Sequence, residues 1–168
     1  MQICGVYYLL GAWQRDFGEN FMPTAAQSRQ LLEQYYQLFG AQRFADISRL
    51  LSDDAWYSQL NSMTNANSPR GRAKVVAALT QWGQWFSDID ILGPAISPLG
   101  ETEVRKVGGS TAAFKAEYSL AGRYERAIPG LRDRPLKLGE HQSIYVTDRV
   151  WVNGGPQIST IASSFIIF

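Results

Sequence analysis

The spacing of hydrophobic positions changes part-way along the chain. Up to about residue 86 apolar side chains recur at intervals of three and four, which is the period of a helix with one buried face. Leu32, Tyr35 and Phe39 share such a face. Beyond this point apolar and polar residues alternate, as in strands with one buried side. Helices first and strands afterwards predict an α+β domain.

The helices are expected in three stretches, and one short strand separates the last two helices. The helical stretches are PTAAQSRQLLEQYYQLFG, AQRFADISRLLS and RAKVVAALTQWGQWF, and the short strand is DDAWYSQL. Four long strands follow: SDIDILGPAI, STAAFKAEYSLAGRY, HQSIYVTDRVWV and QISTIASSFIIF. The sequence NGG at 153–155 predicts a hairpin between the last two. We therefore expect a curved antiparallel sheet wrapped around about three N-terminal helices, a cone with an internal pocket open at one end.

The 168 residues suffice for one domain with a substantial core. We assign residues 23–168 to this domain and interpret residues 1–22 as an N-terminal arm on its outside. The apolar run near the start is short and lacks a basic region and a cleavage pattern, so it predicts neither a signal peptide nor a membrane span. The segment 127–140 is rich in Pro, Gly and Arg and is longer than a usual hairpin loop, which indicates a rim or lid at the pocket mouth.

Composition narrows the possible partners. Charged residues make up 18% of the chain, against roughly 25% in typical soluble domains, while aromatic residues make up 12%. A surface with little charge and many aromatics suggests that a partner covers part of it. The net charge of +1 and the lack of a basic stripe argue against nucleic acid. With the single Cys4 and no zinc-like spacing, we expect a cytoplasmic protein without disulfide, metal, cofactor or membrane contact.

Asp148 interrupts an otherwise aliphatic row in the stretch SIYVTDRVWVNGG. If this stretch is a strand, the same face carries Ile144, Val146, Val150 and Val152. Burial of an unpaired carboxylate is costly and raises its pKa, so we expect Asp148 to reach into a cavity beside Tyr35 or another tyrosine. Two alternatives remain: an ion pair with an arginine of 123–134, or a shifted register that turns Asp148 to solvent.

Three motifs, in order, carry a resemblance to a known superfamily. They are RLLSDDAWY, GRAKVVAAL and the closing hairpin VWVNGGPQISTIASSF. Together they resemble the nuclear transport factor 2-like superfamily, the cone-shaped α+β fold shared with ketosteroid isomerase and SnoaL-type polyketide cyclases. The resemblance covers roughly residues 25–168 and implies a fold rather than a reaction.

The resemblance to ketosteroid isomerase can be followed through the three active-site residues of that enzyme. At two of the three positions this sequence has the same type of residue. The tyrosine and aspartic acid of the oxyanion hole fall on Tyr35 and Asp148, so both are catalytic candidates. The position of the catalytic base falls on Gln59, which cannot accept a proton at neutral pH. The base would then have to come from His141, Tyr57 or Asp54.

Further candidates follow from their positions on the predicted elements. Those expected to contact a ligand are Tyr57, Gln59, Tyr118, Trp82 and Phe114. His141, the single histidine, is in phase with the mixed face of its strand, so a surface position is the alternative to a catalytic one. Asp53 and Asp54 are expected to cap the turn before the first strand. Asp88 and Asp90 alternate with isoleucines and indicate the solvent side of a strand.

The row opposite Asp148 predicts a homodimer. Tyr145, Thr147, Arg149 and Trp151 combine aromatic rings with an arginine, which protein interfaces favour. Sheet-to-sheet dimers are common in the resembled superfamily. We therefore expect a second copy of the chain to pack on this row.

The sequence leaves two main functional hypotheses and a third with less support. The first is an enzyme that performs cofactor-free isomerisation, dehydration, cyclisation or hydrolysis on a small, mostly apolar organic molecule. Tyr35 and Asp148 would hold an enolate-like oxygen in the pocket. The second is a binding or dimerisation module without turnover, and the third a structural subunit like the small subunit of ring-hydroxylating dioxygenases. A second titratable group at the pocket would favour the enzyme.

Overall fold

The structure is a computed structural model that describes residues 23–59, 68–126 and 137–167. Its helices are α1 (Ala25–Gly40), α2 (Phe44–Ile47), α3 (Arg72–Trp85) and α4 (Glu101–Val104), and a 3₁₀ turn spans Ser48–Leu50. Its strands are β1 (Leu51–Gln59), β2 (Phe86–Pro98), β3 (Ser110–Tyr124), β4 (His141–Asn153) and β5 (Ile158–Ile167). The α+β fold class is confirmed. The N-terminal arm and residues 127–136 of the predicted lid lie outside the described residues.

The first helix begins where the sequence signal places it. The Thr24 hydroxyl accepts the backbone N–H of Gln27 at 3.2 Å, and the Gln27 side-chain oxygen accepts the N–H of Thr24 at 2.8 Å. This reciprocal capping box satisfies two amides that helix geometry leaves without partners. The helix then buries one broad face, which includes Leu32, Tyr35 and Tyr36. Its tyrosines are thereby directed toward the sheet.

The five strands form one curved sheet in the order β1-β5-β4-β3-β2. Neighbours from β2 to β5 run antiparallel, as predicted, but β1 runs parallel to β5. The expectation of a wholly antiparallel sheet is therefore wrong at this edge. Periodicity could not show this, because the direction of β1 depends on how α3 and three strands return the chain to its side.

The predicted hairpin between β4 and β5 is confirmed. The Asn153 side-chain oxygen accepts the backbone N–H groups of Gly155 and Gln157, both at 3.1 Å, and so closes the loop. The resulting register sets Asp148 opposite Ser163 on β5 and Ala116 on β3. All three side chains are buried on the concave face, toward α1 and α3.

The short helix α4 was not anticipated, and it changes the interpretation of the convex face. The Trp151 indole N–H donates to the carbonyl oxygen of Glu103 at 2.8 Å. Trp151 is only 6% exposed and shares this covered end of the sheet with the buried Ala113 and Thr160. The protein's own helix therefore covers most of the Trp151 ring within one chain, while the predicted dimer face stays a prediction.

Among the described residues, no helix combines the length and apolarity that crossing a membrane requires.

Candidate functional site

A small cavity lies between the concave face of the sheet, α1 and α3. Its volume is about 10 Å³, which is room for roughly one water molecule. Aromatic and aliphatic side chains form most of the wall, and Asp148 and Ser163 supply polar groups. The lining residues are Tyr35, Phe39, Tyr57, Leu79, Trp82, Tyr118, Leu120, Val146, Asp148 and Ser163.

Asp148 points inward and is 1% exposed. Its Oδ2 atom accepts the hydroxyls of Tyr36 and Tyr118, each at 3.0 Å, and its Oδ1 atom accepts the hydroxyl of Ser163 at 2.5 Å. Among the described residues no lysine, arginine or histidine pairs with it. The predicted inward direction and tyrosine neighbour are confirmed, and the solvent-facing register is wrong. Of the arginines of 123–134, Arg123 and Arg126 form no ion pair with Asp148, and Arg132 and Arg134 lie outside the described residues.

Burial raises the pKa of the Asp148 carboxyl above its ordinary value. The hydrogen bonds from Ser163, Tyr36 and Tyr118 favour the ionised form and oppose this rise, but burial is the larger effect. The predicted direction of the pKa is therefore confirmed. Neutral hydroxyls stabilise the charge less than a cation would.

Three elements bring the hydroxyl groups to Asp148. Tyr36 comes from α1, Tyr118 from β3 and Ser163 from β5. Strand β4 lies between β3 and β5, so the carboxylate is reached from both neighbouring strands and from the helix above them. Ala116, directly opposite Asp148 on β3, is small and leaves Tyr118 as the long side chain that reaches the carboxylate from this strand.

Tyr35 and Tyr57 also line the cavity, but they do not bond Asp148 directly. Among the described residues the Tyr35 hydroxyl has no hydrogen-bond partner. The Tyr57 oxygen accepts the indole N–H of Trp82 at 3.1 Å. Burial, followed by the charge of Asp148, raises the pKa of Tyr57 to about 12 and that of Tyr35 well above its ordinary value. Both phenols therefore stay protonated at neutral pH.

His141 is not part of this cluster. It is exposed at the start of β4, on the opposite face from Asp148 and seven residues away, which is roughly 23 Å along an extended strand. Its candidacy as a base is therefore wrong: its odd-numbered position places it on the convex side.

Three more expectations about the site need correction. Phe114 is 2% exposed but packs in the core away from the cavity. Gln59, half-buried at the end of β1, hydrogen-bonds Tyr57 without lining the cavity. Asp53 and Asp54 lie within β1, not in a turn before it, and both are exposed. Asp53 pairs with Arg72 at 3.0 Å.

Several other positions agree with the sequence. Tyr118, Tyr57 and Trp82 line the cavity as predicted. Asp88 and Asp90 are exposed on β2 as predicted.

Within the described residues, no group of three or more His, Cys, Asp or Glu side chains could hold a metal ion.

Sequence reasoning overlooked Tyr36 and Ser163, although signals for both were present. Tyr36 lies four residues after Leu32, on the same helical face. Ser163 lies at the same distance after the hairpin as Asp148 lies before it, so the register alone pairs them. A helical face wider than one row of side chains allows adjacent Tyr35 and Tyr36 to be buried together.

Comparisons with known proteins agree on the fold. No protein-family profile and no curated protein sequence matches the chain. Among solved structures, a provisionally assigned polyketide cyclase from Xanthomonas campestris pv. campestris is 16% identical, with 84% of this chain and 91% of that one covered at a TM-score of 0.63. The chain has the nuclear transport factor 2-like fold.

Two further structures with this nuclear transport factor 2-like fold show how varied its functions are. A provisionally assigned SnoaL-like polyketide cyclase from Jannaschia sp. CCS1 is 9% identical, with 88% and 91% of the two chains covered at a TM-score of 0.63. A steroid delta-isomerase from Pseudomonas aeruginosa is 16% identical, with 86% and 83% covered at a TM-score of 0.54. Such low identities establish the fold alone, so the reaction has to be argued from the site's own residues.

Proposed function

We propose that the protein is a cofactor-free enzyme that moves a proton within a small, mostly apolar carbonyl compound bound in the cone. Isomerisation is the simplest reaction of this type, and dehydration and cyclisation of a carbonyl compound can begin with the same removal of a proton. The observation that carries the proposal is a carboxylate buried at a cavity wall, held by hydroxyl groups and without a counter-ion among the described residues. Buried carboxyl groups with raised pKa values are concentrated at functional sites.

The hydrogen bonds of Asp148 leave it able to accept one more. A carboxylate offers about four acceptor positions, and three are taken by Tyr36, Tyr118 and Ser163. The remaining position is on Oδ1, which among the described residues accepts only the Ser163 hydroxyl. A carboxyl whose pKa is raised toward neutrality is also better suited to take up and return a proton.

Tyr35 supplies the complementary donor. Its hydroxyl has no partner among the described residues and stays protonated at neutral pH. A donor that is held by packing before the reaction stabilises negative charge as it develops on an oxygen. Tyr35 would therefore bind the carbonyl oxygen of the ligand.

The two groups together support one balanced step. A C–H bond next to the carbonyl breaks and its proton passes to Oδ1 of Asp148. The C–H electron pair forms a C=C bond, and the π pair of the C=O bond moves to the carbonyl oxygen. The resulting enolate oxygen accepts the Tyr35 hydroxyl. Asp148 then returns the proton to another atom of the same molecule. In this scheme Asp148 replaces the base that Gln59 cannot provide.

The titratable groups at the cavity favour the second candidate function, a binding module without turnover. In either function lining side chains have to move before a ligand enters, because a space of about 10 Å³ holds no organic molecule. Besides Asp148, the titratable groups at the cavity are tyrosines with raised pKa values. These phenols do not act as bases near neutral pH.

Hydrogen exchange distinguishes the two functions without knowledge of the natural substrate. Cyclic and polycyclic ketones are incubated with the protein in heavy water, and proton NMR follows the loss of hydrogen next to the carbonyl. We expect faster exchange for a ketone that binds, and Asp148→Asn should slow it by about 100-fold or more. His141→Gln, which changes an exposed group far from the cavity, is the matched control and should retain the full rate.

The binding of each ketone is followed in parallel by tryptophan fluorescence, since Trp82 lines the cavity. A ketone that binds without exchanging would favour the binding module. If none of the ketones binds, the proposed class of ligand is wrong.

A further inference from the structure

The two oxygen atoms of Asp148 have unequal surroundings. Within the part of the chain that the structure describes, Oδ2 accepts two tyrosine hydroxyls, from Tyr36 and Tyr118, whereas Oδ1 accepts only the Ser163 hydroxyl. Oδ2 is therefore fully occupied as an acceptor, and Oδ1 keeps one free position. Nothing in the chemistry of an isolated aspartate distinguishes the two atoms, so the protein imposes this difference.

The two tyrosines are held firmly by their own packing. Tyr36 and Tyr118 are 2% and 6% exposed, and their ring centres lie 5.1 Å apart. Tyr35 packs edge-on against Tyr36 at 5.0 Å and supports it from the helix side. A ring with so little freedom fixes the position of its hydroxyl oxygen.

We infer that Tyr36 and Tyr118 are positioning residues that clamp Oδ2 of Asp148 and so direct Oδ1 toward the ligand. The catalytic part of this inference rests on the proposed function, but the clamp itself does not. The last torsion of an aspartate side chain is broad and roughly two-fold, so an unclamped carboxylate exchanges its oxygens by rotation. Two donors on one oxygen from different elements, α1 and β3, oppose that rotation.

The clamp makes a measurable difference to proton binding. Hydrogen bonds from both tyrosines favour the ionised carboxylate, so removing either hydroxyl should raise the pKa of Asp148. A hydrogen bond to a charged group corresponds to about one pKa unit or more. Loss of packing alone would lower stability without a change of this size and direction.

The test is the titration of Asp148 in Tyr36→Phe and Tyr118→Phe, followed by carbon-13 NMR of the carboxyl carbon in protein with labelled aspartate. Asp148→Asn identifies the resonance. We expect the pKa to rise by about one unit or more in each variant. The matched control is Tyr35→Phe, which removes the same hydroxyl from the neighbouring residue, one that does not bond Asp148.

Two results would overturn the clamp: wild-type pKa values in both variants, or an equal rise in Tyr35→Phe. If one of the two variants does not fold, the other decides the question alone, since both hydroxyls bind the same oxygen.

The pH dependence of ketone exchange separates the clamp from the proposed function. If both hold, the rate profiles of Tyr36→Phe and Tyr118→Phe move to higher pH by the same amount as the titration. If the pKa of Asp148 rises in the variants but no bound ketone exchanges hydrogen even with the unmodified protein, the clamp is supported and the proposed enzymatic function is wrong. If exchange occurs and the titration does not move, the opposite conclusion follows.

Discussion

Asp148 is a buried carboxylate that has no cationic partner among the described residues. An unpaired charge in an apolar interior costs several kcal/mol, and neutral hydroxyl donors offset only part of this. Three such donors, from Tyr36, Tyr118 and Ser163, surround the carboxyl group. The balance remains unfavourable to the ion, which is why its pKa is raised. We therefore expect that the ionisation of Asp148 destabilises the folded protein.

Asp148→Asn tests this linkage. The folded-state pKa lies above the ordinary value of 3.8, so between the two values the folded state binds more protons than the unfolded state. The contribution of Asp148 to stability is therefore full below the unfolded pKa and is lost as the pH rises through the folded pKa. The asparagine does not titrate, so its variant does not lose stability as the pH rises through this range. Its amide oxygen can still accept hydrogen bonds from the tyrosine hydroxyls, and its amide N–H can donate to Ser163.

The measurement is urea unfolding of both proteins at a series of pH values. As the pH rises through this window, the free energy of unfolding of Asp148→Asn should increase relative to that of the unmodified protein. Parallel curves over the whole range would show that Asp148 has the same pKa in the folded and unfolded states.

The short helix α4 acts on the sheet through one side chain. Trp151, on β4, lies beneath α4 and donates its indole N–H to a carbonyl of that helix. Helix α4 lies in the segment that connects β2 to β3, so this hydrogen bond links that segment to β4, the neighbour of β3 in the sheet. This end of the convex face is thus packed within the chain itself.

Substitution of Trp151 separates packing from hydrogen bonding. Trp151→Ala should lower the free energy of unfolding by about 3–5 kcal/mol, the usual cost of removing a large buried aromatic ring. Trp151→Phe keeps much of the buried area and loses the N–H donor, so it should cost less than the alanine change. Urea unfolding measures both. An unchanged stability in Trp151→Ala, with a change of molecular mass, would favour the interface interpretation.

The uncovered part of the convex face bears on the assembly of the molecule. Small side chains predominate there, together with Tyr145, Thr147 and Arg149, and the Lys115–Glu117 pair at 2.9 Å is internal to the face. We propose that a second copy of the chain packs on this face, sheet against sheet. Supporting this are the low charge of the whole chain, 18%, and the aromatic and arginine side chains on the row.

Tyr145→Glu tests the dimer. A carboxylate at this position would be desolvated at the interface and would lie near Glu117, so we expect dissociation to a monomer. Light scattering measures the mass. The matched control is Leu138→Glu, which changes a 65% exposed apolar residue outside the strands and should leave the mass unchanged. An unmodified protein that is already monomeric, or an unchanged dimer in Tyr145→Glu, would contradict the proposal.

The sequence by itself determined the elements of the fold and the direction of most side chains. Apolar spacing placed α1 and α3, alternation placed the long strands, and Asn153 with its glycines placed the hairpin. Alternation also put Asp148 on the buried face. These features are local: they depend on which side of one element meets the core, and a period of 3.6 or 2 residues carries that information.

Only the tertiary structure decided which groups meet. It selected Tyr36 rather than its neighbour Tyr35 as the partner of Asp148, because the rotation of α1 over the sheet decides which buried ring reaches the carboxylate. It set β1 parallel to β5 and laid α4 over Trp151. It also left a cavity of about 10 Å³ beside the carboxylate. A periodic pattern defines faces but not how far one element slides or turns against another, and that is settled by close packing between residues distant in the chain.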